Sequence, residues 1–357
     1  MFLKKVDSSI GKLLIKLWPA PQRFDPPSGS IASLLVIRPG GIGDAVLLAP
    51  LIGMLRKNFP GARIEVLAEK RNNGALALCP GIDRVMCYDR PRELWSALTG
   101  HFDVVIDSEQ WYRLSAIVAR TIRSKVKIGY ATNDRKKMFN SIIGYDLDRY
   151  EPLNFLQLLQ PLEIVSPSTI SAPFLVVPEK GQNSADAMLG DLLHQPFIVF
   201  FPGASTPEKC WGRENFIRLS AGLIRKGYSV VVVGGKEDAS MGDMIAAGSS
   251  ALNLAGKTSL QETAGILSRA KLLISGDSGV LHMGFGLGKP TVSIFGPSST
   301  DKWAPRGDRH IFINHNLACS PCSRFGTTPS CQIDSKCIND ISVSEVFTAA
   351  EKLLSLE

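Results

Sequence analysis

Three short segments of this 357-residue chain combine glycines, hydroxyls and charged side chains at spacings that could do chemistry. The first is Arg38-Pro39-Gly40-Gly41-Ile42-Gly43-Asp44-Ala45. Its glycines, Gly41 and Gly43 among them, let the backbone approach a ligand closely. A helix opening there would favour an anion or a polarised hydroxyl. Asp44 is a carboxylate on that turn, and reads either as a general base or as a simple helix N-cap. The segment is not a dinucleotide fingerprint, because G-x-G-x-x-G counted from Gly41 needs glycine where Val46 stands.

The second segment runs from Phe201 to Gly212 and carries Ser205, Thr206 and Lys209. Hydroxyls and an ammonium on a loop after a strand suit a diphosphate, and an ordinary polar loop is the plain alternative. The third is Ser275-Gly276-Asp277-Ser278-Gly279-Val280-Leu281-His282. Its free backbone N–H groups would seat an anion with Asp277 and Ser278 at the rim, or Asp277-Ser278 is only a cap. His282 reads equally as a reactive group or as part of the wall. Between these two, Glu237 and Asp238 follow an apolar strand, where an acid can meet ribose hydroxyls or simply face water. A fourth cluster is Cys319-x2-Cys322-x8-Cys331-x5-Cys337. Four thiolates can hold zinc or an iron–sulfur cluster, but only the first pair has knuckle spacing, so free thiols or a local disulfide stand beside the metal reading.

The elements that must position these groups alternate. Ser33–Arg38, Arg63–Ala68, Arg84–Tyr88 and Phe102–Asp107 are strand-like apolar runs, with helices over Ala45–Asn58, Arg92–Thr99 and Tyr112–Arg123. After a proline-rich break at Pro161–Gln182 the pattern restarts with strands Phe197–Phe201, Ser229–Gly234, Lys271–Ser275 and Thr291–Phe295. Helices over Arg213–Lys226, Leu260–Ala270 and Gly279–Leu287 separate them. Apolar strands alternating with helices predict parallel sheets covered on both faces. The expected fold class is therefore α/β, with two Rossmann-like doubly wound domains facing across a cleft. The predicted boundaries are an amphipathic helix over 1–18, a linker over 19–30, a first domain over 31–168, a second over 172–342 and a C-terminal helix over 343–357.

Hydrophobic residues make up 45% of the chain and charged residues 20%, which excludes bulk disorder. The longest uncharged apolar run, Ala45–Leu55, is far short of the ~20 residues a membrane-spanning helix needs. The net charge of +7 is unevenly placed. Residues 1–160 hold 23 Lys+Arg and 15 Asp+Glu, giving +8, and residues 161–357 hold 17 and 18, giving −1. The first half should therefore face something anionic. Phe2, Leu3, Val6, Ile10, Leu13, Leu14, Leu17 and Trp18 have helical spacing, with Lys4, Lys5, Lys12 and Lys16 mostly opposite. A helix over Met1–Trp18, separate from the first domain, would lie on an anionic lipid surface, and packing on the protein itself is the alternative. Cys319–Cys337 sets only Arg324 and Lys336 against Asp334 and holds one aromatic, Phe325, so a nucleic-acid surface is not expected.

Taken together, the segments resemble the family 9 glycosyltransferases, the ADP-heptose:lipopolysaccharide heptosyltransferases. The resemblance runs from about Leu34 to Leu354. It is carried by VIRPGGIGDAVLLAPLIGMLRKNFPGARIEVLAE, FPGASTPEKCWGRENFIRLSAGL and LISGDSGVLHMGFGLGKPTVSIFGP, in that order, and the tail cysteine pattern also recurs in members. It implies a GT-B fold with an acceptor domain followed by a nucleotide-sugar domain, and an inverting transfer without metal or cofactor. It implies Asp44 as base, Ser205 and Lys209 on a phosphate loop, Glu237 on ribose and Thr258 beside adenine. It also implies Asp277-Ser278-Gly279 at the diphosphate and sugar. Lys209 would assist the leaving group, Thr206 and His282 would line the donor site, and Gly41, Gly43, Arg120, Arg123, Arg135 and Lys136 the acceptor site. The expected partners are ADP-heptose or a related nucleotide sugar, an anionic glycolipid and the inner face of the cytoplasmic membrane. A family 9 enzyme using another nucleotide sugar, or a non-catalytic sugar-nucleotide-binding module, is the rival reading.

Overall fold

The computed structural model describes residue 7, residues 11–19 and residues 30–356. The chain divides into two compact units, Met1–Ile170 and Ser171–Glu357. Among the described residues no helix is long and apolar enough to cross a membrane.

The first unit is built on a six-stranded sheet: β1 (Ser33–Ile37), β2 (Arg63–Ala68), β3 (Arg84–Cys87), β4 (Val104–Asp107), β5 (Val126–Tyr130) and β6 (Ser141–Ile143). Every pairing is parallel, in the order β3-β2-β1-β4-β5-β6. The continuous apolar runs follow from burial on both faces: Leu34, Leu35 and Val36 are wholly enclosed. The register sets Ile37 opposite Leu67 and Asp107, so the ends of β1, β2 and β4 lie in line and their loops leave side by side.

Two expectations about the helices of this unit are corrected. The helix expected over Ala45–Asn58 is two helices, Ile42–Leu47 and Ala49–Asn58, breaking at Leu48. Pro50 has no N–H to bond the carbonyl of Val46, so the first helix ends and a second begins with proline in its opening turn. The N-terminal helix is not separate from the unit. Its described part, Lys12–Leu17, buries Ile15, while Leu14 and Trp18 pack on a core shared with Phe102, Ile117 and Phe139. The Asp7 carboxylate accepts the N–H groups of Arg113 and Leu114 (2.6 and 2.8 Å), satisfying two open donors of the helix Arg113–Thr121. Leu13 and Leu17 stay exposed beside Lys12 and Lys16. Positions 1–6 and 8–10 of the predicted helix and the linker interior at 20–29 lie outside the described residues.

The second unit repeats the plan with β7 (Phe197–Phe201), β8 (Ser229–Val232), β9 (Leu252–Asn253), β10 (Leu272–Gly276), β11 (Thr291–Ile294) and β12 (His310–Ile313). The order is β12-β11-β10-β7-β8-β9, again all parallel. The tail helix Val343–Leu354 opens with a Ser342–Glu345 capping box and buries Val346, Ala350 and Leu353 in this unit's core. Strands β5, β6, β9 and β12 and the helices Glu151–Gln157, Glu179–Leu189 and Ala239–Ser249 are elements the pattern reading passed over.

Candidate functional site

In each sheet the strand order reverses once, between β1 and β4 in the first unit and between β7 and β10 in the second. Neighbouring loops diverge at such a point, and the carboxyl ends of the two strands frame a crevice where ligands bind. All three chemistry-bearing segments leave these ends.

In the first unit the turn after β1 is fastened from three sides. Buried Arg38 donates to the Ser108 carbonyl (2.8 Å) and to Glu109 Oε2 (2.9 Å) at the end of β4. Gly40 N–H donates to Glu69 Oε1 (2.9 Å), and Asn72 Nδ2 donates to the Arg38 carbonyl (3.1 Å). Gly40 takes φ +104°, a left-handed conformation that favours glycine, whereas Gly41 is extended and is itself the N-cap. Asp44 therefore lies inside the first helical turn and caps nothing. Its Oδ1 accepts instead from Gln110 Nε2 (3.3 Å). Burial opposes the charge of Arg38, but Asp44, Glu109, Glu151 and Asp107 outweigh it and hold the guanidinium pKa above its ordinary value.

Of the expected acceptor contacts, Arg123 and Lys136 are exposed and Arg120 is half-buried. Arg135 is corrected. It is 0% exposed, pairs with buried Asp107 at 2.5 Å, donates to the Tyr112 carbonyl and stands over the Phe139 ring. Its charge is consumed inside the unit and reaches no surface glycolipid. Burial is strong enough here to push the Asp107 carboxyl up despite that partner.

In the second unit Lys209, on the loop after β7, donates from Nζ to Asp277 Oδ2 (2.7 Å), on the turn after β10. His282 Nε2 lies 4.0 Å from Asp277 Oδ1, buried and beside Trp303. Burial works against the Asp277 charge, yet Lys209 and His282 hold its pKa below the usual carboxylate value. Ser278 is the N-cap of the helix Gly279–Gly286: its hydroxyl accepts from Leu281 N–H (3.1 Å) and shares a hydrogen bond with Ser275 (2.9 Å). The cap leaves the first backbone N–H groups of that helix, beginning at Gly279, turned toward the crevice end of the sheet.

After β8 the two acids separate in role. Asp238 is spent: its carboxylate accepts Gly235 N–H (2.8 Å) and packs where a Cβ on Gly203 would sit 2.2 Å from Oδ1. Glu237 is exposed beside it. Thr258 shares a hydrogen bond with Thr263 (2.9 Å) beyond β9. Ser205 is exposed on the loop after β7, and the Thr206 hydroxyl is buried with no protein partner. The structure thus joins Lys209, Asp277 and His282 in direct contact, while Ser205, Glu237 and Thr258 stand on loops of the same edge.

Sequence reasoning gave Arg38 no role of its own and missed Gln110, Glu151 and Tyr145. The last three sit outside any glycine-rich motif. The available signal was the polar run Ser108-Glu109-Gln110 following the apolar strand β4. The four tail cysteines are free thiols that line one small cavity with Glu208 and Pro297. Among the described residues, no group of three or more His, Cys, Asp or Glu side chains is arranged to hold a metal ion.

Residues 91–331 match the model of the glycosyltransferase family 9 (heptosyltransferase). The chain is similar to a lipooligosaccharide heptosyltransferase 2 of Haemophilus ducreyi, with 24% identity over 78% of this chain and 88% of the relative. It is also similar to a lipopolysaccharide heptosyltransferase 3 of Escherichia coli, with 27% identity over 87% of this chain and 95% of that protein. The solved structure of an E. coli ADP-heptose lipopolysaccharide heptosyltransferase II superposes with a TM-score of 0.75 at 23% identity, covering 91% of this chain and 99% of the other. That likeness shows the fold, two Rossmann-like units in one chain, which is the GT-B architecture.

Proposed function

Because this chain belongs to glycosyltransferase family 9 (heptosyltransferase), we propose that it moves a heptose from ADP-heptose to a hydroxyl of a lipid A-linked lipopolysaccharide-core acceptor. The observation that carries this reading is Lys209 beside Asp277 at the strand reversal of the second unit, next to an open helix N-terminus. A cation and a set of backbone N–H groups on one crevice suit a nucleoside diphosphate, both as bound donor and as leaving group.

In the proposed reaction Asp44 takes the proton of the acceptor hydroxyl as its oxygen attacks the anomeric carbon. The bond from that carbon to the diphosphate oxygen breaks from the opposite side, so configuration inverts, and ADP leaves with the bonding pair. Lys209 and the N–H groups at Gly279 offset the charge that grows on the diphosphate. Glu237, exposed after β8, would accept from ribose hydroxyls, and Ser205, Thr206, Thr258 and His282 would shape the rest of the donor seat. No step is assigned to a metal ion. Arg120, Arg123 and Lys136, with the basic surplus of the first half, favour a phosphorylated acceptor. The exposed Leu13 and Leu17 beside Lys12 and Lys16 favour a peripheral seat on the cytoplasmic face of the inner membrane.

A donor screen tests the reading. ADP should raise the melting temperature where UDP and GDP do not, and ADP-heptose should be turned over with heptose-deficient lipopolysaccharide as acceptor. The one-bond carbon–proton coupling at the new anomeric centre reports inversion. Stabilisation by UDP or GDP alone would overturn the donor assignment, and binding without turnover of any matching sugar would leave a nucleotide-sugar-binding module.

A further inference from the structure

The groups behind Asp44 form an ordered chain. Gln110 is nearly enclosed, and Glu151 is 0% exposed. Gln110 Nε2 stands 2.6 Å from Glu151 Oε1 and 3.3 Å from Asp44 Oδ1. The other oxygen of Glu151 accepts from the Tyr145 hydroxyl (2.7 Å) and from Asn154 Nδ2 (3.3 Å). Glu151 opens the helix Glu151–Gln157, so its backbone is set by a regular element rather than by a loop.

A side-chain amide has a donating end and an accepting end, and its partners decide which way it faces. Here both partners are carboxylates, which accept and do not donate when ionised. Only the NH2 end can lie between them, and each of its two hydrogens then has one acceptor. Glu151 is the fixed partner, tied by Tyr145 and Asn154, while Asp44 belongs to the turn that meets ligand. The dependence therefore runs outward from Glu151 through Gln110 to Asp44. Two carboxylates sharing one amide would repel each other, and buried Arg38 supplies the counter-charge, since Asp44 and Glu151 both act on its guanidinium. The contact holds Oδ1 from behind. Oδ2 lies on the side of Gly41, where an added Cβ would stand 3.3 Å from it.

We propose that Gln110 and Glu151 are positioning residues for Asp44. Glu151 sets the sense of the Gln110 amide, and Gln110 orients the Asp44 carboxylate so that Oδ2 meets the acceptor hydroxyl. The inference rests on Asp44 being the base.

The test is a double-mutant cycle on turnover of ADP-heptose with heptose-deficient lipopolysaccharide. Gln110→Ala should lower kcat about 10–100-fold, the scale of a misplaced reacting group, with the donor KM unchanged. In an Asp44→Asn background the same change should cost nothing further, because the group it positions is gone. Glu151→Gln keeps the volume but replaces the oxygen that accepts from Gln110 with an NH2 group, so the Gln110 amide is no longer held with its NH2 end inward. It should lower kcat several-fold and also lose its effect beside Asp44→Asn. If Gln110→Ala lowers the melting temperature by more than a few degrees, Glu151→Gln carries the cycle alone. Additive losses, or a raised donor KM with kcat retained, would overturn the positioning role while leaving the base intact. Near-normal turnover by Asp44→Asn itself would instead remove the base, which is a separate failure.

Discussion

The two units share one topology and spend charge at the strand reversal in opposite ways. In the first, Asp44 stands before a buried set of charged groups, Arg38, Asp107, Glu109, Arg135 and Glu151, each with a protein partner. In the second, the crevice carries Lys209 and Asp277, both partly exposed, and backbone N–H groups around Ser278. A group that must accept a proton from one direction needs its carboxylate held from behind, and buried ion pairs supply that rigidity. On the proposed reading the second crevice seats a diphosphate, which needs donors left open and a cation able to change partner. The same scaffold thus gives a stiff wall in one unit and an open cradle in the other.

Asp44→Asn is the sharpest way to break the comparison. Asp44 is not the N-cap residue, a position held by Gly41, so this variant should fold normally and bind donor within a few-fold, yet lose roughly 10²–10⁴ in turnover. Melting temperature, ADP affinity and kcat on one preparation decide it. Arg135→Met tests the stiff wall. It leaves Asp107 buried without its cation and should destabilise the chain by about 3–5 kcal/mol in denaturant unfolding. A change under about 1 kcal/mol, the scale of an exposed pair, would show that the pair adds no rigidity.

Lys209→Ala tests the open cradle in the opposite sense. It should remove about 2–4 kcal/mol of transition-state stabilisation, read from kcat/KM, with little change in melting temperature. A large loss of stability would mean that Lys209 is structural and that the contrast is false. The smallest effect concerns acid. Burial lowers the pKa of His310 to about 4, so the unfolded chain takes up its proton first. The stability held by neutral His310 is complete above its ordinary value near 6.5 and is lost as pH falls toward 4. His310→Asn should flatten unfolding free energy against pH across that window, and an unchanged slope would exclude His310 as the group responsible.

The sequence made the sheets legible because strands buried on both faces are continuous apolar runs, and Leu34–Ile37 or Val230–Val232 have no other simple reading. Strands β6 and β9 were not legible: three and two residues carry no pattern, and only their neighbours make them strands. The glycine turns after β1 and β10 were readable as turns because glycines cluster with an acid directly after an apolar run. Arg135 misled because a cationic run over Arg135–Lys137 reads as solvated surface, and only the fold puts Asp107 within 2.5 Å of one member. Gln110 and Glu151 were silent for the same reason. They lie 41 residues apart, and an amide has no signature until its partners are known.

Asp7 and Arg113 are separated by 106 positions, which has a meaning in time as well as in space. A ribosome adding about 5–20 residues per second needs some 5–20 s to pass from one to the other. Throughout that interval Ile15, Leu14 and Trp18 have no core to enter, because Phe102, Ile117 and Phe139 are not yet made or not yet folded. This segment therefore settles only after the elements it packs on have been made, and while it waits it is a nascent apolar sequence open to whatever binds such sequences at the exit tunnel.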